Sequence, residues 1–381
     1  MIKKKYLLSP GPTPIPQDVL LAAAHPIIHH RTPEFSDIYQ NISETLRYIF
    51  QTKQEVYPIA SSGSGGMEAA VVNLLCPGDK VITINGGKFG ARWGHLCRAY
   101  QALVHEIDLE WGEPLPKEQM SEELEKNPDT KAVFSTLCET STGTVFDIQG
   151  YGEILSKSDT IFVVDGISAL GAIPCPMDEW NIDVLIGGSQ KLFMTPPGLS
   201  YISFNPKAWK LVQRSTLPKF YFDAKKYRDS HLKKTTPFTP AISLMIQQKK
   251  ALDFIKDIGL KNLFEHHQIL GDATRAGIQA LGLELLSKSP GNILTAVKVP
   301  EGLDGIKLME TIHNKYNIYI AGGQDPYKGK IFRIAHVGYI CGFEIITALS
   351  ALEMTLNDLG YHFEMGSSIK ASEAILKENW K

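Results

Sequence analysis

The sequence predicts an α/β protein in which a mostly parallel sheet, covered on both faces by helices, precedes a smaller α+β unit. Three observations carry this. Short apolar runs alternate with helical patterns from Val56 to Phe204, as strands joined by crossover helices do. Two of the runs, Ile161-Phe162-Val163-Val164 and Val184-Leu185-Ile186, have no polar interruption, which suits strands buried on both faces. After about Pro240 long helical patterns take over.

In chain order, Ser9-Pro10-Gly11-Pro12-Thr13-Pro14-Ile15-Pro16 cannot be helix, because proline removes donors and biases its predecessor toward extended backbone. Residues 1–16 therefore read as an extended arm. A helix is predicted from about Ser36 to Phe50, with Ile38, Ile42, Thr45, Leu46 and Ile49 on one face. Strands follow at Val56–Ala60, Val81–Ile84, Leu103–Ile107 and Ala132–Leu137, then the two central runs, then Tyr201–Phe204. Helices are predicted between them at Met67–Leu75, Phe89–Tyr100, Met120–Glu125 and Tyr151–Lys157. Ala241–Ile258 and Leu260–Leu281 are two long helical patterns parted by Gly259. The remainder reads as strand (Ile293–Val299), helix (Ile306–Tyr316), strand (Ile331–Ala335) and a last amphipathic helix carrying Ile345, Leu349, Leu352, Leu356 and Leu359. The predicted division is an arm (1–16), a large domain (17–258) and a small C-terminal domain (259–381). There is no internal repeat and no low-complexity segment.

A net charge of −2 offers no electrostatic footprint for nucleic acid or an anionic membrane. No apolar run approaches the length that spans a bilayer, and the stretch after Lys3-Lys4-Lys5 is too brief for a signal peptide. The five cysteines are scattered and never form a CxxC pair. That argues against a disulfide framework or a metal site and for a reducing compartment, the cytoplasm by default. The Lys3–Lys5 start and the Lys/Glu-rich C-terminal helix read as solvated faces.

The chemistry gathers at strand ends. One central run stops at Asp165, the other at Gly187-Gly188-Ser189-Gln190-Lys191, and ligands of parallel sheets sit outside the carboxyl ends of the strands. An acid and an amine so placed suit pyridoxal 5′-phosphate, with Lys191 forming the imine and Asp165 facing the pyridinium nitrogen; a buried ion pair is the plainer alternative. Ser61-Ser62-Gly63-Ser64-Gly65-Gly66 lies between a strand and a helix, where free N–H groups and absent Cβ atoms accommodate a phosphate. It has neither Walker nor GxGxxG spacing.

These segments, in this order, resemble the class-V, fold-type I, pyridoxal-phosphate aminotransferases, nearest the alanine–glyoxylate and serine–pyruvate (serine–glyoxylate) group. The resemblance rests on Ser9-Pro10-Gly11-Pro12, Ser62-Gly63-Ser64-Gly65 with Met67-Glu68-Ala69, and Cys138-Glu139-Thr140-Ser141-Thr142-Gly143. It continues through Val164-Asp165-Gly166-Ile167-Ser168, Gly188-Ser189-Gln190-Lys191 and Phe332-Arg333-Ile334, and so covers almost the whole chain. It implies a seven-stranded type of sheet and a homodimer with shared sites. It further implies a ping-pong exchange between a small L-amino acid (serine or alanine) and a small 2-oxo acid (glyoxylate or pyruvate). Lys191 would hold the cofactor and shuttle a proton, which requires its pKa to fall from ~10.4 toward ~7–8. Asp165, beside the ring cation, would have its own pKa lowered by ~1–3 units. Ile167 would pack under the ring, Ser62, Gly63, Ser64 and Gln190 would surround the phosphate, and Ser141 or Thr142 would bond the phenolic oxygen. Arg333 would clamp the substrate carboxylate, with Gly11 beside it.

The resemblance leaves choices open. Phe89 is the expected ring-stacking residue, with Trp93 competing. Thr239 or Thr236 would cross a dimer interface to the neighbour's phosphate, and His29-His30-Arg31 would lie near that contact. His336 reads as a hydrogen-bonded interface histidine. A cysteine desulfurase type of lyase on the same fold would need a mobile thiolate, for which Cys341 is the C-terminal candidate. A non-catalytic complex subunit is the third reading, since class-V relatives include hydrogenase-associated subunits; a scaffold, however, has no use for a carboxylate clamp at Arg333.

Overall fold

The computed structural model describes residues 4–379. Its centre is a seven-stranded sheet: β1 (Val56–Ala60), β2 (Lys80–Asn85), β3 (Leu103–Asp108), β4 (Ala132–Thr136), β5 (Ile161–Asp165), β6 (Val184–Gly188) and β7 (Leu199–Phe204). The spatial order is β1-β7-β6-β5-β4-β2-β3. All neighbours are parallel except β7, which runs antiparallel to both β1 and β6. The other six strands therefore point the same way and deliver their carboxyl ends to one edge.

Alternation along the central strands fills two cores. Ile161 and Val163 of β5 face one side with Ile186, Met67 and Trp93; Phe162 and Val164 face the other with Leu185, Phe35 and Leu46. Helix Pro33–Phe50 covers the second side. Its start follows from Thr32, whose hydroxyl accepts the Phe35 N–H, and from Pro33 in the first turn, where a missing N–H is harmless. Helix Gly63–Leu74 covers the first side, and its glycines let it press close to the sheet: a Cβ on Gly66 would sit 2.9 Å from Ile186 Cγ2.

A third core lies beneath the C-terminal helices Leu260–Ala280, Gly305–Tyr316 and Gly342–Asp358 and the three-stranded sheet Leu294–Lys298, Ile331–Ala335, Ala321–Gly322. The N-terminal arm belongs to it as well. Tyr6–Leu7 pairs in parallel with Ile318–Tyr319, and Leu8 is buried in that core. The C-terminal helix Ser367–Asn379 is not simply a solvated face, because Ser368, Ser372 and Leu376 are buried. Lys4 and Lys5 are exposed, while Lys3 lies outside the described residues. Helices Pro206–Arg214 and Ala224–His231, absent from the predicted set, cover the sheet after β7. Among the described residues no helix is long and apolar enough to cross a membrane, and no cluster of side chains could hold a metal ion.

Candidate active site

The cleft at the carboxyl edge of the sheet is lined by Ser62, Gly63, Ser64, Phe89, Arg92, Thr140, Asp165, Ile167, Ser168, Gln190 and Lys191. These come from the turns after β1, β2, β4, β5 and β6, so five strand ends converge on one space.

Lys191 is buried, and its Nζ donates to the Pro10 carbonyl at 2.6 Å. The arm is laid over it: the Thr13 hydroxyl donates to the Lys191 carbonyl (2.8 Å), and a Cβ on Gly11 would lie 2.4 Å from Nζ. Burial brings the Lys191 ammonium down to about 8; Asp165 opposes the shift and Arg333 adds to it. Removing a charged form from water disfavours that form. The same cause acts in reverse on Asp165, whose carboxyl burial pushes up to about 6 against the pull of the Ile167 N–H, which it accepts at 2.8 Å. A lowering by a ring cation would therefore work against a carboxyl that the protein itself holds high.

Ile167 is wedged between glycines. A Cβ on Gly63 would come within 2.6 Å of its Cδ1, and one on Gly188 within 2.9 Å of its Cγ2. Helix Gly63–Leu74 starts beside it with no side-chain cap on its first turn. The Gly65 and Gly66 amides turn back to the Ser62 carbonyl, and the leading amides remain as an anion cradle. Arg92 joins this end of the cleft, its Nη1 donating to Ser64 Oγ at 2.9 Å and its guanidinium resting 5.1 Å from the Phe89 ring centroid. Gln190 Oε1 is buried and unpartnered.

Phe89 lines the cleft, whereas Trp93 is a core residue that packs on Phe134 and donates its indole N–H to the Ser135 carbonyl. Ser141 and Thr142 turn inward instead of lining the cleft: Ser141 donates its hydroxyl to Glu139 and Thr142 to Thr144, leaving Thr140 as the residue of that loop on the cleft wall. Arg333, on the strand Ile331–Ala335, is held from behind. Its Nε and Nη2 donate to the Gly322 carbonyl (3.1 and 2.7 Å) and its Nη1 to the Thr140 carbonyl (2.7 Å). Burial lowers its pKa to about 10, with Glu139 opposing, so it stays charged at neutral pH, and two of its five donors remain free for a carboxylate.

Other expected residues lie apart. Thr236 and Thr239 line a separate recess with Tyr221, Phe238 and Pro240. Arg31 ties the His29-His30 segment to it, donating to Thr235 Oγ1 and the Thr236 carbonyl. His336 is buried and bonds Thr295 at 3.1 Å. Cys341 is exposed, in a different cavity with Phe254, His266 and Tyr339. Sequence reasoning gave no role to Arg92, nor to Glu139, Thr140 and Ser168, which enter it only as members of matched segments. Arg92 sits on an amphipathic helix where an arginine resembles a solvated charge; its only signal is its place one turn after the Asn85-Gly86-Gly87 turn.

The family model for class-V aminotransferases matches residues 5–334. The chain belongs to the class-V aminotransferases. It is 41% identical over 99% of both chains to a protein described as the small subunit of a soluble hydrogenase from Synechococcus sp.. It is 34% identical to the serine–glyoxylate aminotransferase of Hyphomicrobium methylovorum, covering 98% of this chain and 95% of that one. The solved structure of the ureidoglycine–glyoxylate aminotransferase of Bacillus subtilis superposes with a TM-score of 0.94 at 29% identity, covering 99% of both chains. Class-V aminotransferases use pyridoxal phosphate, and the reaction class of this one is transamination. The predicted mostly parallel seven-stranded α/β fold is the one found.

Proposed function

We propose that this class-V aminotransferase holds pyridoxal 5′-phosphate in the cleft at Lys191 and moves the amino group of serine or alanine to glyoxylate or pyruvate. The observation that carries the reading is the pairing of Lys191 and Asp165 in one buried space, with an anion cradle beside them. The residues present fit the cofactor by their own chemistry. The helix at Gly63 has an uncapped first turn whose amides can donate, and Arg92 supplies positive charge for a phosphate; Gln190, on the cleft wall, would turn its amide NH2 to it, since its oxygen can only accept. Two relatives reported above act on glyoxylate by name, which favours it as acceptor.

Bound pyridoxal phosphate supplies an electron sink for charge developing at the substrate α-carbon. This chain's residues do the rest. Lys191 would hold the cofactor covalently until the substrate amine displaces it, and its freed Nζ would then carry the proton to and from the α-carbon. Its pKa of about 8 keeps a useful fraction neutral near pH 7. Asp165, which leaves Oδ2 unused by the Ile167 N–H, would accept from the protonated ring nitrogen. Phe89 and Ile167, both on the cleft wall, would hold the ring between them, and Arg333 would offer its two remaining donors to the α-carboxylate. Gly11 keeps the space over Nζ clear.

The chain acts as a homodimer in this reading, Thr239 or Thr236 reaching the partner's phosphate, because both lie outside their own cleft. The five cysteines, none of them paired, agree with the cytoplasm. The desulfurase reading is disfavoured by Cys341, which shares no cavity with Lys191. A complex subunit without activity is kept as a second reading by the hydrogenase-subunit name of one relative.

Absorbance spectroscopy of the purified protein decides between them. The expected result is a cofactor band that serine or alanine bleaches and glyoxylate restores, with no band in Lys191→Ala. A band inert to every amino acid tested would favour the non-catalytic subunit, and no binding at all would sink the proposal.

A further inference from the structure

A second carboxylate is buried beside the cleft and takes no part in the chemistry described above. Glu139 is wholly inaccessible to solvent. Its Oε2 accepts the backbone N–H groups of Phe89 (3.0 Å) and Gly90 (2.7 Å), and its Oε1 accepts the N–H (2.9 Å) and hydroxyl (2.6 Å) of Ser141. The Ser141 hydroxyl oxygen in turn accepts the Lys88 N–H at 3.1 Å. A Cβ on Gly87 would come within 2.7 Å of the Glu139 carboxyl carbon, so the glycine turn exists in a form that opens directly onto this group.

The donor set favours the charged form. A carboxylate has about four lone-pair sites, and three of its four partners here, the N–H groups of Phe89, Gly90 and Ser141, can only donate. A carboxylic acid would have to turn its O–H to the Ser141 hydroxyl, which already accepts the Lys88 N–H. Burial pushes the Glu139 carboxyl above its usual range, and the bonds from Ser141, Gly90 and Phe89 act against that push. The charge also has a neighbour. Arg333 forms no ion pair within 4 Å among the described residues, and Glu139 is the carboxylate that acts on it electrostatically. The two are joined through the chain, since the Thr140 carbonyl that receives Arg333 Nη1 follows Glu139 directly.

We infer that Glu139 is an ionised positioning residue, one buried carboxylate that fixes Phe89 on the ring side of the cleft and, through Thr140, Arg333 on the substrate side. The inference rests on the reading that the cleft holds pyridoxal phosphate. Glu139 touches neither cofactor nor substrate; it acts through the groups it holds. A glutamine in its place has the same shape and one acceptor oxygen instead of two, so one pair of donors must face its NH2.

Three readouts on Glu139→Gln test this. The first is amide hydrogen exchange at Phe89 and Gly90 in protein without cofactor, expected to accelerate on the order of tenfold for the loss of charge-assisted bonds, with β4 and β5 still protected. The second is the circular dichroism that the site induces in bound pyridoxal phosphate, expected to fall per mole bound. The third is the split between KM and kcat, with KM for the amino acid rising about tenfold as Arg333 loosens. Unchanged exchange and unchanged dichroism would overturn the inference. So would exchange that accelerates equally throughout the sheet, which would make Glu139 a residue of general stability. If the unaltered protein binds no cofactor, the functional reading falls, and the exchange at Phe89 and Gly90 still decides the positioning role. Should Glu139→Gln not fold, Glu139→Asp keeps the charge and shortens the reach. It is expected to free the Phe89 and Gly90 amides while retaining the Ser141 bond, and unaltered exchange there overturns the inference.

Discussion

Asp165 and Lys191 are held in states that folding alone would not choose. The Lys191 ammonium is lowered to about 8 by burial, so the neutral amine that attacks an aldehyde gains about tenfold per pH unit below that point and levels off above it. Stopped-flow capture of pyridoxal phosphate by the cofactor-free protein should follow this curve, and a flat profile from pH 6 to 9 would contradict it. Asp165 carries the opposite signature. Its carboxyl is raised from 3.8 to about 6 by burial, so between those values the folded chain binds more protons than the unfolded one. Stability from this group is then greatest below pH 3.8 and is lost as pH rises through about 6. Asp165→Asn removes the charged form and should stabilise the cofactor-free protein by roughly 2–3 kcal/mol at pH 7, with little change at pH 4. The same substitution should weaken cofactor binding, a trade of function against stability. Thermal unfolding at the two pH values checks it, and equal shifts at both would mean that the carboxyl is not desolvated.

At the scale of elements, the arm carries an instruction that no helix or strand does. Gly11 lies at φ +144°, and a Cβ there would stand 2.4–2.7 Å from Nζ, Cε and Cδ of Lys191. Gly11→Ala must therefore displace the lysine end or lift the arm. The expected result is a modest loss of stability, on the order of 1 kcal/mol, with capture of the cofactor slowed by about tenfold or more, since 1.4 kcal/mol of misplacement already gives that factor. Equal capture rates would show that the arm stands clear of Lys191 in solution. The proline run showed from sequence that this segment is not helical, yet not where it would lie, because its pairing with Ile318–Tyr319 joins residues about three hundred apart by two bonds of backbone. Legibility followed the same physics elsewhere. β5 and β6 were readable because both faces are buried and each opens on an unbroken apolar run, Ile161–Val164 and Val184–Ile186. The reversed direction of β7 was not, since an antiparallel strand beside buried neighbours has the same composition as a parallel one. In the cleft, Asp165, Lys191 and Ile167 stood out as breaks in apolar runs or matched segments. Ser141 and Thr142 came from a matched segment, and their bonds to Glu139 and Thr144 are contacts within the loop that the sequence does not display.

At the scale of the whole molecule, the proposal of a shared site has a consequence that stoichiometry can test. Thr236 and Thr239 lie in a recess with Tyr221 and Phe238, outside the cleft that holds their own Lys191, and the largely exposed Phe220 packs its ring 5.6 Å from that of Phe238. In a two-fold dimer, whatever one chain lends to its partner's cleft the partner lends in return. If these threonines serve the partner's phosphate, a dimer of one Lys191→Ala chain with one Thr236→Ala/Thr239→Ala chain concentrates both defects in one site and leaves the other intact. Each homodimer should be impaired: Lys191→Ala inactive, and the threonine double variant reduced about tenfold in cofactor affinity for the loss of bonds to a charged group. The purified heterodimer should then bind one tight cofactor per dimer and show about half of the unaltered activity. Were the threonines to act within their own chain, one site would lack its lysine and the other its phosphate ligand. No tight site would then remain, and activity would stay near half that of the threonine double variant. The two outcomes differ by about an order of magnitude, so a single titration separates a site built by one chain from a site built by two.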